Sequence, residues 1–349
     1  MAAARPASAA PHAGDEATAV AMQRRAQKLQ LLAFFLLVAV APLVVHNRYY
    51  LHILIFVGLN LILATGLNLL MGYAGQVSLG HAAFFGIGAY TSGILTATYR
   101  WNPWLAMAAA VALTCLVAWL VGRPTLRLRG HYLAMATLGV GIIVAVVIRQ
   151  TSWLTGGPAG LTGIPSMTFL GRELKSNMDA HYFYFVWGWV CLLTVLFANL
   201  IASRPGRALR ALHDSELAAQ TLGIDTAAFK VRAFVISAAY ASIAGTLYAH
   251  SSMRFLSPNP FGFHTSIALL VMVVLGGQGT LWGPVLGAVT VTAIQELLRP
   301  WANWDIVVYG LLLMLMMTVM PGGVSRALGS AWGRLRDRLV SARGGEGVA

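Results

Sequence analysis

Charge is what this chain has least of. Its 24 Lys and Arg and 11 Asp and Glu amount to 10% of 349 residues, whereas soluble domains carry about 25%. No hydrophilic stretch is long enough for a folded soluble domain, which excludes a soluble protein with a single anchor. Cysteine is nearly absent too. Cys115 and Cys191 both lie in apolar runs, and neither their number nor their spacing suggests a disulfide framework or a metal site. They read as small packed hydrophobes. There is no G-x-x-x-x-G-K-[ST], and none of Lys28, Lys175 and Lys230 follows a glycine. Binding of nucleotide phosphates in that manner must come from another chain. No H-E-x-x-H occurs either. "QVSLGH" places Ser78 three residues before His81, but Gln76 breaks the G-x-S-x-G of a serine hydrolase. An intramembrane enzyme finds no support.

What remains is apolar. Hydrophobic residues make up 58% of the chain and the mean hydropathy is +0.71. A helix spans a bilayer with about 20 apolar residues, and ten such segments can be drawn. They lie near 30–46, 50–70, 77–98, 104–122, 131–149, 182–202, 233–252, 265–279, 283–298 and 305–320. This describes an all-α polytopic membrane protein with about ten (8–10) transmembrane helices. An even count puts both termini on one side. With the N-terminus inside, seventeen Lys and Arg fall in cytoplasmic segments and seven outside, as the positive-inside rule requires. The net charge of +13 is thus a matter of orientation. It does not point to nucleic acid, because the basic loops lack an aromatic-interleaved reading surface.

The domain reading follows. Residues 1–28 form a disordered cytoplasmic tail, 29–325 the membrane domain and 326–349 a basic cytoplasmic tail. Arg24, Arg25 and Lys28 before Leu29–Val45 imitate a signal peptide, and Ala39-Val40-Ala41 a cleavage site. Pro42 opposes cleavage, so the run is read as a retained first helix. "TSWLTGGPAGLTGIPSM" (151–167), with four glycines and two prolines, reads as an extended outer loop.

The longest inner loop, 203–232, carries the strongest helix signals. Pro205 and Gly206 end the preceding helix. Asp214 or Ser215 caps a new one with Glu216 in its positive first turn, and Gly223 suits the left-handed terminating position. That leaves about two turns, "SELAAQTL", after which Asp225 or Thr226 caps the next span. A short helix bearing small Ala218 and Ala219 fits a partner's groove. The alternative is a helix lying on lipid, which so little apolar bulk would bind weakly.

Two uncharged stretches, Tyr49–Tyr99 and Phe255–Gln295, are each broken by a glycine-glutamine segment. "GQVSLG" (75–80) and "GQGTLWG" (277–283) both read Gly-Gln-x-Ser/Thr-Leu, which is either an internal repeat or a chance match among 36 glycines. Neither holds a Lys or Arg, which suggests membrane depth under a cover of protein. Irregular backbone there needs protein or a wet cavity around it, and paired broken segments point to a transport path. The candidate path residues are Gly75, Gln76, Ser78 and His81 with Gly277, Gln278 and Thr280. Ser78 and Thr280 can cap the helices that follow, whose N–H ends favour a carboxylate. His81 can contact a permeant, relay a proton or be a capped structural residue. Asn60 and Asn68, eight apart on one face, read as interhelical hydrogen-bond donors. Glu296 and Arg299 read as a pair at a helix end.

"GYAGQVSLGHAAFFGIGAY" (72–90), "TGGPAGLTGI" (155–164), "LHDSELAAQTLGIDTAAFKVRAFVISAAYASIAGTLYAH" (212–250) and "GGQGTLWGPVLGA" (276–288) occur in an order that resembles LivM-type permeases. Those are inner-membrane subunits of bacterial ABC importers for branched-chain amino acids. The resemblance covers residues 30 to 325. It implies a second, LivH-like permease as partner, two cytoplasmic ATPases that bind the ATP and Mg, a periplasmic binding protein, and no cofactor in this chain. It implies that 213–223 is the coupling loop, with Asp214 at its start. Glu216, Ala218, Ala219 and Gly223 match the family's Glu-x-Ala-Ala…Gly pattern, and Lys230 its following basic residue. "VMPGGV" (319–324) departs from relatives that carry a basic residue after the proline. Importers of urea and short-chain amides share the family. An ion-coupled secondary transporter is a further alternative, but it needs intramembrane acids, and none of the eleven Asp and Glu lies at a helix centre.

Overall fold

A computed structural model describes residues 30, 33–36, 38–42, 47–169, 172–173, 180–251, 255–301, 304–319 and 323–325. The two tail readings, 1–28 and 326–349, lie outside them. The chain divides into two compact units, Met1–Asn47 and Arg48–Ala349. In the first, residues 33–36 and 38–42 are helical, within the segment read as the first span.

The second unit is helical almost throughout. Its elements are α1 (Arg48–Asn68, continued by a wide turn over Leu69–Tyr73), α2 (His81–Ala97), α3 (Pro103–Thr125), α4 (His131–Gln150), α5 (Ala180–Ala202), α6 (Arg204–Asp214), α7 (Glu216–Thr221), α8 (Thr226–Ser251), α9 (Phe263–Gly276), α10 (Gly283–Leu298) and α11 (Trp304–Val319). Each of the nine segments drawn from residue 50 onward is thus a helix. Arg48–Tyr73, α3, α4, His181–Ala202 and α8 are long and apolar enough to cross a membrane, while α9 and α10 are shorter. The chain is an all-α polytopic membrane protein.

Local chemistry sets the boundaries. Asn102 caps α3 by accepting from Trp104 N at 2.9 Å, with Pro103 as first residue. Asp225 caps α8 through Ala228 N at 3.0 Å, so this helix starts seven residues before the apolar run drawn at 233–252. Ser78 caps nothing. Helix α2 begins at His81 behind Gly80, without a side-chain cap, and the N–H of Ala82 is met instead by Ser266 Oγ of α9 at 3.2 Å. The outer loop is more ordered than its glycines suggest. It makes one helical turn at Ser152–Thr155 and pairs Leu161–Thr162 with Phe255–Leu256.

Helices α1, α2 and α8 form the centre. Small residues let their backbones touch, since lipid supplies no hydrophobic drive for helix association. A Cβ on Gly88 would lie 2.5 Å from Ser242 Cα, and one on Gly245 would lie 2.2 Å from the Phe85 carbonyl. His250 of α8 links the outer loop at Pro165 to Ser92 of α2. His250 Nδ1 lies 2.8 Å from Pro165 O, and its Nε2 lies 2.9 Å from Ser92 Oγ. Both asparagines of α1 bond across helices. Asn60 Nδ2 donates to Thr292 Oγ1 of α10 at 2.9 Å, and Asn68 reaches the α9–α10 turn.

Candidate functional site

The coupling residues and the first glycine break lie against each other, through His213 and Gly75. The inner loop holds two helices where one was expected. Pro205 and Gly206 do follow the end of α5, but they also open α6, in which proline occupies the first turn. Ser215, not Asp214, caps α7, accepting from Ala218 N at 3.2 Å. Gly223 takes φ +78, and Ile224 N bonds back to Ala219 O at 3.1 Å. This is the closing turn expected of a glycine just past a helix end.

An ion pair fixes α7 to the base of α8. Lys230 Nζ lies 2.8 Å from Glu216 Oε1, and Arg129 Nε lies 3.5 Å from Glu216 Oε2. Lys230 is 3% exposed. A buried ammonium is tolerable only with such a partner, so Glu216 and Lys230 serve each other. Gln220 Nε2 adds a bond to Thr226 Oγ1 at 3.0 Å. Ala219 is buried beneath the helix. The outward face is Ala218 with Leu217 and Leu222, which are 73% and 76% exposed. The sequence singles out small Ala218 and Ala219, whereas these two leucines are the exposed apolar groups. An apolar residue left outside a short polar helix was the available signal.

The first glycine break abuts this unit. A Cβ on Gly75, whose φ is +67, would lie 3.1 Å from His213 Nδ1. The Arg210 guanidinium sits 5.5 Å from the centre of the Tyr73 ring. The break is buried in part only. Gly75 and Val77 are exposed and Gln76 half-buried, whereas Ser78, Gly80 and His81 are buried. Leu79 N donates to Thr137 Oγ1 of α4 at 3.1 Å, a contact that a lone threonine in an apolar run did not announce. Among the described residues, Ser78 Oγ and His81 Nε2 are buried without a hydrogen-bond partner. His81 Nδ1 lies 3.5 Å from Ser237 Oγ. Ser78 and His81 therefore form no nucleophile–base pair.

The second break meets the end of α1 and the turn that continues it. Asn68 Nδ2 donates to Thr280 O at 2.9 Å, and Gly279 N donates to Asn68 Oδ1 at 3.0 Å. A Cβ on Gly72 would come within 2.2 Å of Gly279 N. Thr280 Oγ1 donates to Gly277 O at 2.9 Å, accepts from Gly283 N at 3.0 Å and lies 3.1 Å from Ser325 Oγ. Its hydroxyl is fully engaged where that of Ser78 is free, so the matched residues of the two motifs do different work. Gln278 is half-buried beside it. Among the described residues no three His, Cys, Asp or Glu gather as a metal site.

Residues 49–320 match the family described as branched-chain amino acid transport system / permease component. The chain belongs to that family. Among its relatives in the family is the high-affinity branched-chain amino acid transport system permease protein LivM of Escherichia coli. It is 34% identical over 265 residues, 70% of this chain and 62% of the relative. The LivM protein of Salmonella typhimurium matches to the same extent. The autoinducer 2 import system permease protein LsrC of Salmonella paratyphi B is 30% identical over 210 residues, 57% of this chain and 55% of that protein. The chain thus spans less than two thirds of the length of these relatives. No solved structure matches. The family match takes in α1 to α11, so both glycine breaks and the whole α6–α8 unit lie inside it.

Proposed function

We propose that the chain is the membrane-spanning permease subunit of an ATP-driven ABC importer, and that it carries leucine, isoleucine and valine across the bacterial inner membrane. The observation that carries this reading is the 34% identity to two LivM permeases over 70% of the chain. Its partners in this reading are a second, LivH-like permease, two cytoplasmic ATPases and a periplasmic binding protein. Lipid surrounds it, and ATP and Mg bind to the ATPases.

The coupling surface would be α7 with Asp214 before it, presented to an ATPase by Leu217, Ala218 and Leu222. Glu216, Lys230, Ala219 and Gly223 would hold that surface rather than form it. Closure of the ATPases would press on α7. The Glu216–Lys230 pair would pass the push into α8, whose glycine contacts with α2 leave little slack. Packed elements shift between discrete arrangements rather than deform smoothly, so α2 would rock and reopen the path on the other side. His213 against Gly75 gives the same push a second entry to the first break.

Gly75, Gln76, Ser78 and His81 with Gly277, Gln278 and Thr280 would line the path. Ser78 is the better contact to the permeant, because its hydroxyl has no partner among the described residues whereas the Thr280 hydroxyl does.

The test is uptake of labelled leucine by membrane vesicles carrying the chain and the proteins encoded beside it. Unlabelled isoleucine and valine should compete. Competition by urea, acetamide or an autoinducer instead would move the substrate assignment within the family.

A further inference from the structure

A cleft of about 1000 Å³ opens between the end of α3, the start of α8 and the helices α6 and α7. Its mouth is basic. Arg123, Arg127, Arg129 and Arg232 are exposed there, against Glu216 and Asp225. Glu216 is committed to Lys230 and Arg129, and Asp225 to the cap of α8. Arg123 stacks 4.0 Å from the centre of the Trp119 ring.

Its inner end is apolar. On α8 the lining runs from Thr226 to Ile236, roughly 15 Å at 1.5 Å per residue. The apolar run of α8 begins at residue 233, so Ala233, Val235 and Ile236 of this lining belong to it, and the cleft runs from a charged rim onto the apolar part of the helix. Leu126, Leu209 and Ala233 form its buried floor.

We propose that this cleft binds an anionic phospholipid of the cytoplasmic leaflet, its phosphodiester among Arg123, Arg127 and Arg232 and an acyl chain along Ile236. Basic pockets between transmembrane helices suit such headgroups, and a Trp at the rim suits the interface.

The purified full chain, with any subunits that copurify, is placed in mixed micelles holding equal amounts of phosphatidylglycerol and phosphatidylcholine. Retained lipid is counted by native mass spectrometry. Phosphatidylglycerol should be enriched. Each arginine near an anionic headgroup is worth a factor of roughly five, so Arg123→Gln with Arg232→Gln should cut the enrichment roughly thirty-fold. Ile236→Trp, which leaves every charge in place, should cut it several-fold by filling the acyl end. Inorganic phosphate should not displace the lipid. Equal retention of the two lipids overturns the proposal, as does enrichment unchanged in both variants. Displacement by millimolar phosphate would make it a free-anion site. Loss of a copurifying ATPase in the Gln variant with lipid retention intact would make the cleft a protein-docking surface.

Discussion

The side-chain amide of Asn68 donates to the carbonyl of Thr280 at 2.9 Å, and its oxygen accepts from Gly279 at 3.0 Å. One residue of α1 thereby fixes a turn more than 200 positions away. Asn68→Leu removes both bonds and leaves two backbone groups without partners. Buried unsatisfied groups cost about 1–3 kcal/mol each, and membrane hydrogen bonds average less. A loss of about 1–3 kcal/mol in all is expected. It would appear as a lower melting temperature of the purified chain, with less of it recovered from membranes.

Gly72 gives a steric counterpart. A Cβ there would meet Gly279 N at 2.2 Å and Asn68 Oδ1 at 2.3 Å, whereas one on Gly139 would meet nothing within 4 Å. Gly72→Ala should therefore destabilise, because backbone must move to admit the methyl. Gly139→Ala should be neutral or stabilise by up to about 1 kcal/mol, as alanine does in a helix interior. Thermal unfolding of the two variants side by side checks the contrast.

The Glu216–Lys230 pair should show strong coupling. Glu216→Gln leaves a buried ammonium uncompensated, a change that costs about 3–5 kcal/mol at fully buried sites. Glu216 is partly exposed, so a smaller loss is expected here. Glu216→Gln combined with Lys230→Met removes the stranded charge and should recover much of the loss. Protease cleavage between residues 215 and 225 reports it: fast in the single variant, slow in the double.

Ser78 offers a test that separates path from scaffold. Its hydroxyl is buried and unpaired, so Ser78→Ala breaks no bond and should leave stability unchanged or slightly raised. If Ser78 touches the permeant, the same substitution should raise the concentration of leucine needed for half-maximal uptake. Unaltered uptake would remove Ser78 from the path.

Much of this was legible because it is local. Periodic apolarity marks the spans, and Ser215, Gly223 and Asp225 act on backbone within a few residues of themselves. Asn60 and Asn68 announced that they bond across helices, but not to what. What stayed hidden is what depends on distant chain. Pro205-Gly206 reads equally as a stop and as a first turn; the start of α6 settles it. Ser78 looks like a cap, yet Gly80 against the Thr137 carbonyl and Ser266 against Ala82 set where α2 begins. The likeness of the two Gly-Gln segments conceals unlike surroundings, since Asn68 serves the second and His213 abuts the first.

The outward leucines of α7 carry the proposed coupling. Leu217→Asp with Leu222→Asp alters exposed side chains only, so insertion and melting temperature should hold within about 0.5 kcal/mol. Copurification of the ATPase should be lost. If it persists at full yield, α7 is not the docking surface.

In the proposed function this chain is a conduit driven by a separate ATPase. The direct measurement is uptake of labelled leucine into proteoliposomes, with the chain reconstituted alone or with its partner subunits and binding protein, and with ATP present or absent on the α7 side. Uptake is expected only in the full assembly with ATP. Accumulation of leucine by the lone chain without nucleotide would contradict it.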